Sequence, residues 1–158
     1  MGSHLCEALV KQGARVLCLD NLSTGNKKNI SHLLKHPKFK FAKGDVSHHP
    51  TLRAPLLYPT SHKASSDIRK EERISEIYYL ASPASPSRYQ KDPIGTWKAN
   101  TIGTLNLLEL ARRLKAKFLF ASTSEVYGDP KEHPQKESYF GNVNPVGPRA
   151  CYDESKRA

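Results

Sequence analysis

Residues 118–125 read Phe118-Leu119-Phe120-Ala121-Ser122-Thr123-Ser124-Glu125, four apolar residues running without a break into three hydroxyls and a carboxylate. A short apolar run rich in aromatics and free of turn residues reads as a buried strand, and its abrupt polar end marks where the chain leaves the sheet. The same pattern recurs upstream. Ile77-Tyr78-Tyr79-Leu80-Ala81 is followed by Ser82, Phe39-Lys40-Phe41-Ala42 closes on Asp45-Val46, and Arg15-Val16-Leu17-Cys18-Leu19 ends at Asp20 before the turn-rich Asn21-Leu22-Ser23-Thr24-Gly25. Helical spacing fills the intervals. Leu5, Cys6, Leu9 and Val10 precede a stop at Gly13, a short helix is expected over 27–34, and a long helical pattern over 93–113 passes through Ile94, Trp97, Ile102, Leu105, Leu108 and Leu110.

Alternating strands and helices imply right-handed crossovers and an α/β fold, a Rossmann-like doubly wound parallel sheet whose ligands collect beyond the carboxyl ends of the strands. Informative residues should therefore stand just past each strand. Asp20, Asp45, Ala81-Ser82 and Ser122 to Glu125 all do. One stretch, 47–73, fits no element: it carries three prolines, three histidines and many charges, and is longer than structureless loops usually are. It is expected to be an irregular, poorly ordered insertion.

Composition narrows the classes. With 158 residues and 37% apolar content the chain can bury one ordinary core. The formal charge of +10 is spread along the chain with no block of like charge and no interleaved aromatics, so a nucleic-acid partner is not expected. The three cysteines, Cys6, Cys18 and Cys151, lack the paired short spacing of a zinc site or redox pair, so neither a metal nor a disulfide framework is predicted. No apolar run approaches the roughly 20 residues of a membrane span, and no leader opens the chain.

Three features carry chemistry. Asp20 ends the second strand roughly 20 residues after the place of a glycine-rich turn, where a carboxylate can accept from an adenosine ribose and repel a 2′-phosphate; a plain turn aspartate is the alternative. Gly2 can be the last glycine of that turn. Tyr152 and Lys156 stand four apart, on one face of a helix, where the cation favours phenolate and the phenol can take a proton from a sugar hydroxyl. Ser122-Thr123-Ser124-Glu125 supplies hydroxyls and a carboxylate at a strand end, and it is equally a helix-capping pattern.

Taken together, Leu80-Ala81-Ser82-Pro83-Ala84-Ser85-Pro86, the string from Ala121 through Ser122-Thr123-Ser124-Glu125-Val126-Tyr127-Gly128 to Pro130, and the string from Gly141 through Pro148-Arg149-Ala150-Cys151-Tyr152 to Glu154 resemble the UDP-glucuronate decarboxylases of the extended short-chain dehydrogenase type. The resemblance covers nearly all the chain outside 47–73. It implies a partial NAD-binding Rossmann domain over 1–158, lacking the first strand and the C-terminal substrate domain, and inactive as a fragment. It implies a tightly held NAD, with UDP-glucuronate oxidised at carbon 4, decarboxylated and reduced again to UDP-xylose. Tyr152, Lys156 and Thr123 would carry the proton transfer. Gly2, Asp20, Asn21, Thr24, Gly25, Asp45, Val46, Leu80, Ala81, Ser82 and Asn100 would surround the cofactor together with Tyr152 and Lys156, while Pro83, Tyr89 and Glu125 would stand beside the sugar.

Ser124 discriminates within the resemblance, because related dehydratases carry aspartate there to protonate a departing hydroxyl. A fixed anion beside a uronate carboxylate would cost about 1 to 4 kcal/mol, and serine removes that repulsion. The readings that stay open are a sugar-nucleotide 4,6-dehydratase or 4-epimerase on the same scaffold, and a non-catalytic module that binds a nucleotide or a partner. The resemblance further implies a homodimer and a cytoplasmic enzyme, or a Golgi-lumenal one if the parent is membrane-anchored.

Overall fold

The computed structural model describes residues 1–48 and 74–158. The stretch expected to be an insertion lies outside the described residues, apart from Ser47 and His48. Two compact units divide the chain, Met1–Ile74 and Ser75–Ala158.

In the first unit, helix α1 (Gly2–Lys11) is stopped by Gly13, whose φ of +89° suits a residue without a side chain. The Ala14 N–H reaches back to the Leu9 carbonyl at 3.0 Å, which closes the helix end. Strand β1 (Val16–Asp20) runs parallel to β2 (Phe39–Lys43), with Val16 opposite Phe39 and Cys18 opposite Phe41. These four residues share a sheet face, since side chains alternate along a strand. Against that face pack Val10 of α1 and Ile30 and Leu33 of a 3-10 helix (Lys27–Leu33), together with the half-buried Cys6. The connection expected as a short helix is thus a tighter 3-10 turn, capped by the Asn26 side chain accepting from the Lys28 N–H at 2.9 Å. All three cysteines are free.

The second unit repeats the parallel pairing. Strand β3 (Glu76–Tyr79) pairs with β4 (Lys117–Phe120), Tyr79 opposite Phe120. Between them come α2 (Pro86–Tyr89), α3 (Pro93–Asn100) and α4 (Ile102–Leu114), and the last helix is α5 (Ala150–Arg157). Helix α4 packs on both strands and α3 packs against α5. Tyr79 is buried, tilted against Phe118 and Phe120, and its hydroxyl donates to the Ala99 carbonyl. The parallel pairing that defines the α/β expectation therefore holds in each unit.

Three expectations are corrected. The long helix bends at Thr101, because the hydroxyls of Thr101 and Thr104 donate to the carbonyls of Trp97 and Asn100 one turn earlier. On α4 the buried stripe is Leu107, Leu110 and Ala111, while Ile102, Leu105 and Leu108 are exposed, as are Ile94 and Trp97 on α3. Two apolar faces share one helix there, and spacing alone does not say which one packs. Nor is β4 buried on both faces, since Leu119 and its pairing partner Tyr78 are exposed. Helix α2 has no counterpart in the sequence-based expectation; Pro86 at its start presets the first helical φ.

Beyond β4 the chain makes a second 3-10 turn (Ser124–Tyr127) and is pinned by a bridge between Gly128 and Asn142, with the Asn142 N–H donating to the Tyr127 carbonyl at 2.8 Å. Gly128 has φ +63°, and a Cβ there would collide with the Asn142 carbonyl oxygen. At Gly13 a Cβ would meet only the Lys38 Nζ, at 3.6 Å. Gly13→Ala should therefore cost about 1 kcal/mol of stability from its backbone conformation alone, and Gly128→Ala about 3 kcal/mol or more from conformation plus collision. Urea unfolding of the two variants checks the order.

Candidate functional site

Each unit gathers polar groups at the carboxyl ends of its strands. In the first, Asp20 closes β1 and its Oδ1 accepts from the Leu22 N–H at 2.7 Å, so the carboxylate satisfies a backbone donor in the turn. Gly25 returns against it: a Cβ there would lie 3.0 Å from Asp20 Oδ2. Asn21 Nδ2 donates to Asp45 Oδ2 at 2.8 Å and ties the end of β1 to the loop after β2. Asp45 Oδ1 accepts from Ser47 N–H and Oγ at 2.8 and 2.6 Å. Burial opposes ionisation of Asp45, but the hydrogen bonds from Ser47 and Asn21 outweigh it and hold the carboxyl below its usual range. Val46 is buried beneath, Thr24 and Gly25 are exposed, and Gly2 opens α1. The structure thus brings Asp20, Asn21, Gly25 and Asp45 together as one polar rim.

In the second unit the centre is α5. Tyr152 and Lys156 lie one turn apart and both are buried, at 5% and 7% exposure. The Lys156 Nζ donates to the Ala121 carbonyl at 2.8 Å and sits 4.4 Å from the centroid of the Phe120 ring, so the ammonium is held at the carboxyl end of β4. Burial lowers its pKa from 10.5 to about 8. Tyr152 stacks on Tyr89, ring centroids 4.9 Å apart and planes 7° from parallel. Tyr89, expected beside a sugar, is only 2% exposed, and its described ring contact is with Tyr152. Ser155, between the pair, accepts from Asn100 Nδ2 at 2.9 Å and donates to the Cys151 carbonyl at 2.5 Å.

Thr123 caps the turn after β4, its Oγ1 accepting from the Glu125 N–H at 3.3 Å, so the capping reading of this string is realised and the hydroxyl still has a proton to donate. Ser124 is exposed. Ser82 Oγ and Asn100 Oδ1 are buried with no hydrogen-bond partner, and both belong to the set expected around a cofactor. Buried polar atoms are nearly always paired, so these two fit a ligand bearing hydroxyl or amide groups. Leu80 and Pro83 are half-buried and Ala81 exposed on the same strand-end loop.

The sequence reading missed two residues. Arg149 forms an ion pair with Glu125, and its Nε lies 3.7 Å from Asp153 Oδ2. Asp153 is buried, which raises its pKa against the opposing pull of Arg149. The four-residue spacing of Arg149 and Asp153 on a helix was a legible signal; the approach of Glu125 from another element was not. Among the described residues no cluster of His, Cys, Asp and Glu could hold a metal ion, and no helix is long and apolar enough to cross a membrane.

A known family accounts for this arrangement. The GDP-mannose 4,6 dehydratase family matches over residues 1–158. The chain belongs to that family. It is 47% identical over 157 residues to UDP-glucuronic acid decarboxylase 1 of Arabidopsis thaliana, a match covering 99% of this chain and 32% of the relative. Among solved structures it is similar to the UDP-Glc/GlcNAc 4-epimerase of Campylobacter jejuni, with TM-score 0.73 and 28% identity over 98% of this chain and 42% of that one. The UDP-glucose 4-epimerase of Thermus thermophilus, solved in complex with NAD, gives TM-score 0.71 and 27% identity over 99% of this chain and 44% of that one. The chain spans about a third of the length of its curated relative.

The buried Lys156 makes stability depend on pH. Its folded-state pKa of about 8 lies below the ordinary lysine value of 10.5, so below pH 8 the folded form bears the full penalty of a buried ammonium, and the penalty lifts as pH rises from about 8 to 10.5. Relative to Lys156→Met, the unmodified protein should gain stability across that window. Urea midpoints of both proteins at about pH 7 and about pH 10 measure the difference, which should move in favour of the unmodified protein at the higher pH.

Proposed function

We propose that this chain is the dinucleotide-binding part of an NAD-dependent UDP-glucuronate decarboxylase. The observation that carries the reading is the face of α5: a buried phenol and a buried ammonium one turn apart, with the ammonium anchored at the carboxyl end of a parallel strand. The identity of 47% to a UDP-glucuronic acid decarboxylase supports the substrate, and likeness to an epimerase solved with NAD supports the cofactor. Within the first unit Asp20, Asn21 and Asp45 present the polar groups that a ribose would meet, and within the second Ser82 and Asn100 present unpaired buried atoms to a hydroxyl or amide.

NAD, when bound, supplies transient hydride acceptance at carbon 4 of the sugar. Tyr152 takes the proton of the carbon-4 hydroxyl, and the Lys156 ammonium stabilises the phenolate through space. Thr123 donates a hydrogen bond to the same oxygen. The oxidised sugar is a β-keto acid, so carbon dioxide leaves with its bonding electrons retained as an enolate that the ketone stabilises. A proton from solvent water is taken up at carbon 5 of the enolate, which restores the ketone, and Tyr152 then returns its own proton to the carbon-4 oxygen as the ketone is reduced. Ser124, neutral and exposed, puts no fixed anion beside the uronate carboxylate and no acid beside the carbon-6 leaving position that a dehydratase would need. A homodimer accords with the apolar side chains that α3 and α4 leave exposed, Ile94, Trp97, Ile102, Leu105 and Leu108.

Two measurements on the full-length protein test this reading. Incubation with NAD and UDP-glucuronate should yield UDP-xylose, and Tyr152→Phe should lower kcat by about a hundredfold to ten-thousandfold while NAD stays bound; near-normal turnover by Tyr152→Phe would remove the phenol from the mechanism. Calorimetry should show NAD preferred to NADP, with Asp20→Ala narrowing the gap, since the aspartate's charge opposes a 2′-phosphate. Equal affinity in the unmodified protein would take Asp20 out of cofactor selection.

A further inference from the structure

Arg149 lies at Glu125 and near Tyr89, two of the three residues that the family resemblance implies beside the sugar. Its guanidinium pairs with Glu125, which stands just past Thr123 on the turn that follows β4, and its positive charge acts on Tyr89, the ring stacked on Tyr152. It also opens α5, the helix of Tyr152 and Lys156, and its Nε lies 3.7 Å from the buried Asp153. Two carboxylates therefore face one guanidinium at the end of the sheet where ligands of parallel α/β folds gather. Asp153 has one oxygen, Oδ1, buried without a partner, and burial keeps its carboxyl harder to ionise. Glu125 is the more exposed of the two, its side chain 34% accessible against 9% for Asp153.

An uncompensated Glu125 carboxylate would repel a hexuronate for the reason that serine suits position 124. We propose that Arg149 is a specificity-determining residue that acts through Glu125: its guanidinium cancels and orients that carboxylate, so the site can hold an anionic sugar that a bare glutamate would reject. The inference rests on the UDP-glucuronate reading. Arginine suits the task because its planar fork can grip a carboxylate while presenting a second edge to Asp153. A structural ion pair would matter equally whatever sugar is bound. A charge-cancelling one matters to the uronate alone.

The test is calorimetric, on the full-length protein with NAD, using UDP-glucuronate and UDP-glucose as ligands that differ at carbon 6 by a carboxylate. Arg149→Gln should weaken UDP-glucuronate about tenfold or more and UDP-glucose less than about threefold. Adding Glu125→Gln to that variant removes the uncovered carboxylate and should restore UDP-glucuronate to within about threefold of the unmodified protein. Should Arg149→Gln not fold, Glu125→Gln alone decides: with Arg149 left unpaired it should tighten UDP-glucuronate relative to UDP-glucose, whatever common change both ligands show. Equal weakening of both ligands, no restoration in the double variant, or no relative tightening in Glu125→Gln overturns the role of Arg149. Formation of UDP-xylose by the unmodified protein is scored separately. Its absence defeats the decarboxylase reading and this inference with it, whereas its presence with equal ligand responses defeats the inference alone.

Discussion

The burial of the Lys156 ammonium governs the second unit. Removing a charged amine from water costs several kcal/mol, and one bond to the Ala121 carbonyl at 2.8 Å with an aromatic ring at 4.4 Å offsets only part of that. Packing must supply the remainder, and it does so by seating α5 on α3 and on the turn after β4. Once Lys156 is anchored at the end of β4, the helical repeat leaves Tyr152 little choice of position. It falls one turn earlier, on the same face, against Tyr89. The geometry of the phenol is thus inherited from the geometry of the amine.

The hydrogen-bond chain inside the unit enforces the same register. Asn100, the last residue of α3, donates to Ser155, and Ser155 bonds back to the carbonyls of Cys151 and Tyr152. Both side chains are 2% exposed, so the bonds form away from competing water and any slip of α5 would strand them. The bend at Thr101 belongs to this arrangement, because it lets α3 end against α5 while α4 turns to lie on the strands. The first unit solves a different problem with similar means. There the carboxylates of Asp20 and Asp45 accept backbone N–H groups at the strand ends, which pins the loops, and Asp45 also holds Asn21 through its second oxygen.

Much of this was legible in the chain because the transition from apolar strand to polar loop is a local event. Asp20, Asp45, Ser82 and Thr123 could all be placed by their position after an apolar run, and Tyr152 with Lys156 by the helical spacing of two residues. What could not be read depends on partners distant in sequence. Arg149 meets Glu125 only because α5 returns to the turn after β4. The outward stripe of α4 escaped for a related reason: Leu105 and Leu107 are equally apolar, and only the placement of the sheet decides that Leu107 is buried and Leu105 exposed.

Tyr89 shows how a residue can serve a site from within the core. Its backbone carbonyl accepts from Thr96 Oγ1 at 3.3 Å and from the Cys151 thiol at 3.8 Å, so α3 and α5 each hold the end of α2. The ring is then fixed in the plane on which Tyr152 stacks, and a stacked phenol cannot rotate about its ring axis without losing that contact. A catalytic phenol gains from such restriction, since its hydroxyl must meet a substrate oxygen at hydrogen-bond distance in one orientation. Burial of Tyr89 therefore withdraws it from direct contact with open space and gives it, through the plane of its ring, control over where the Tyr152 hydroxyl points.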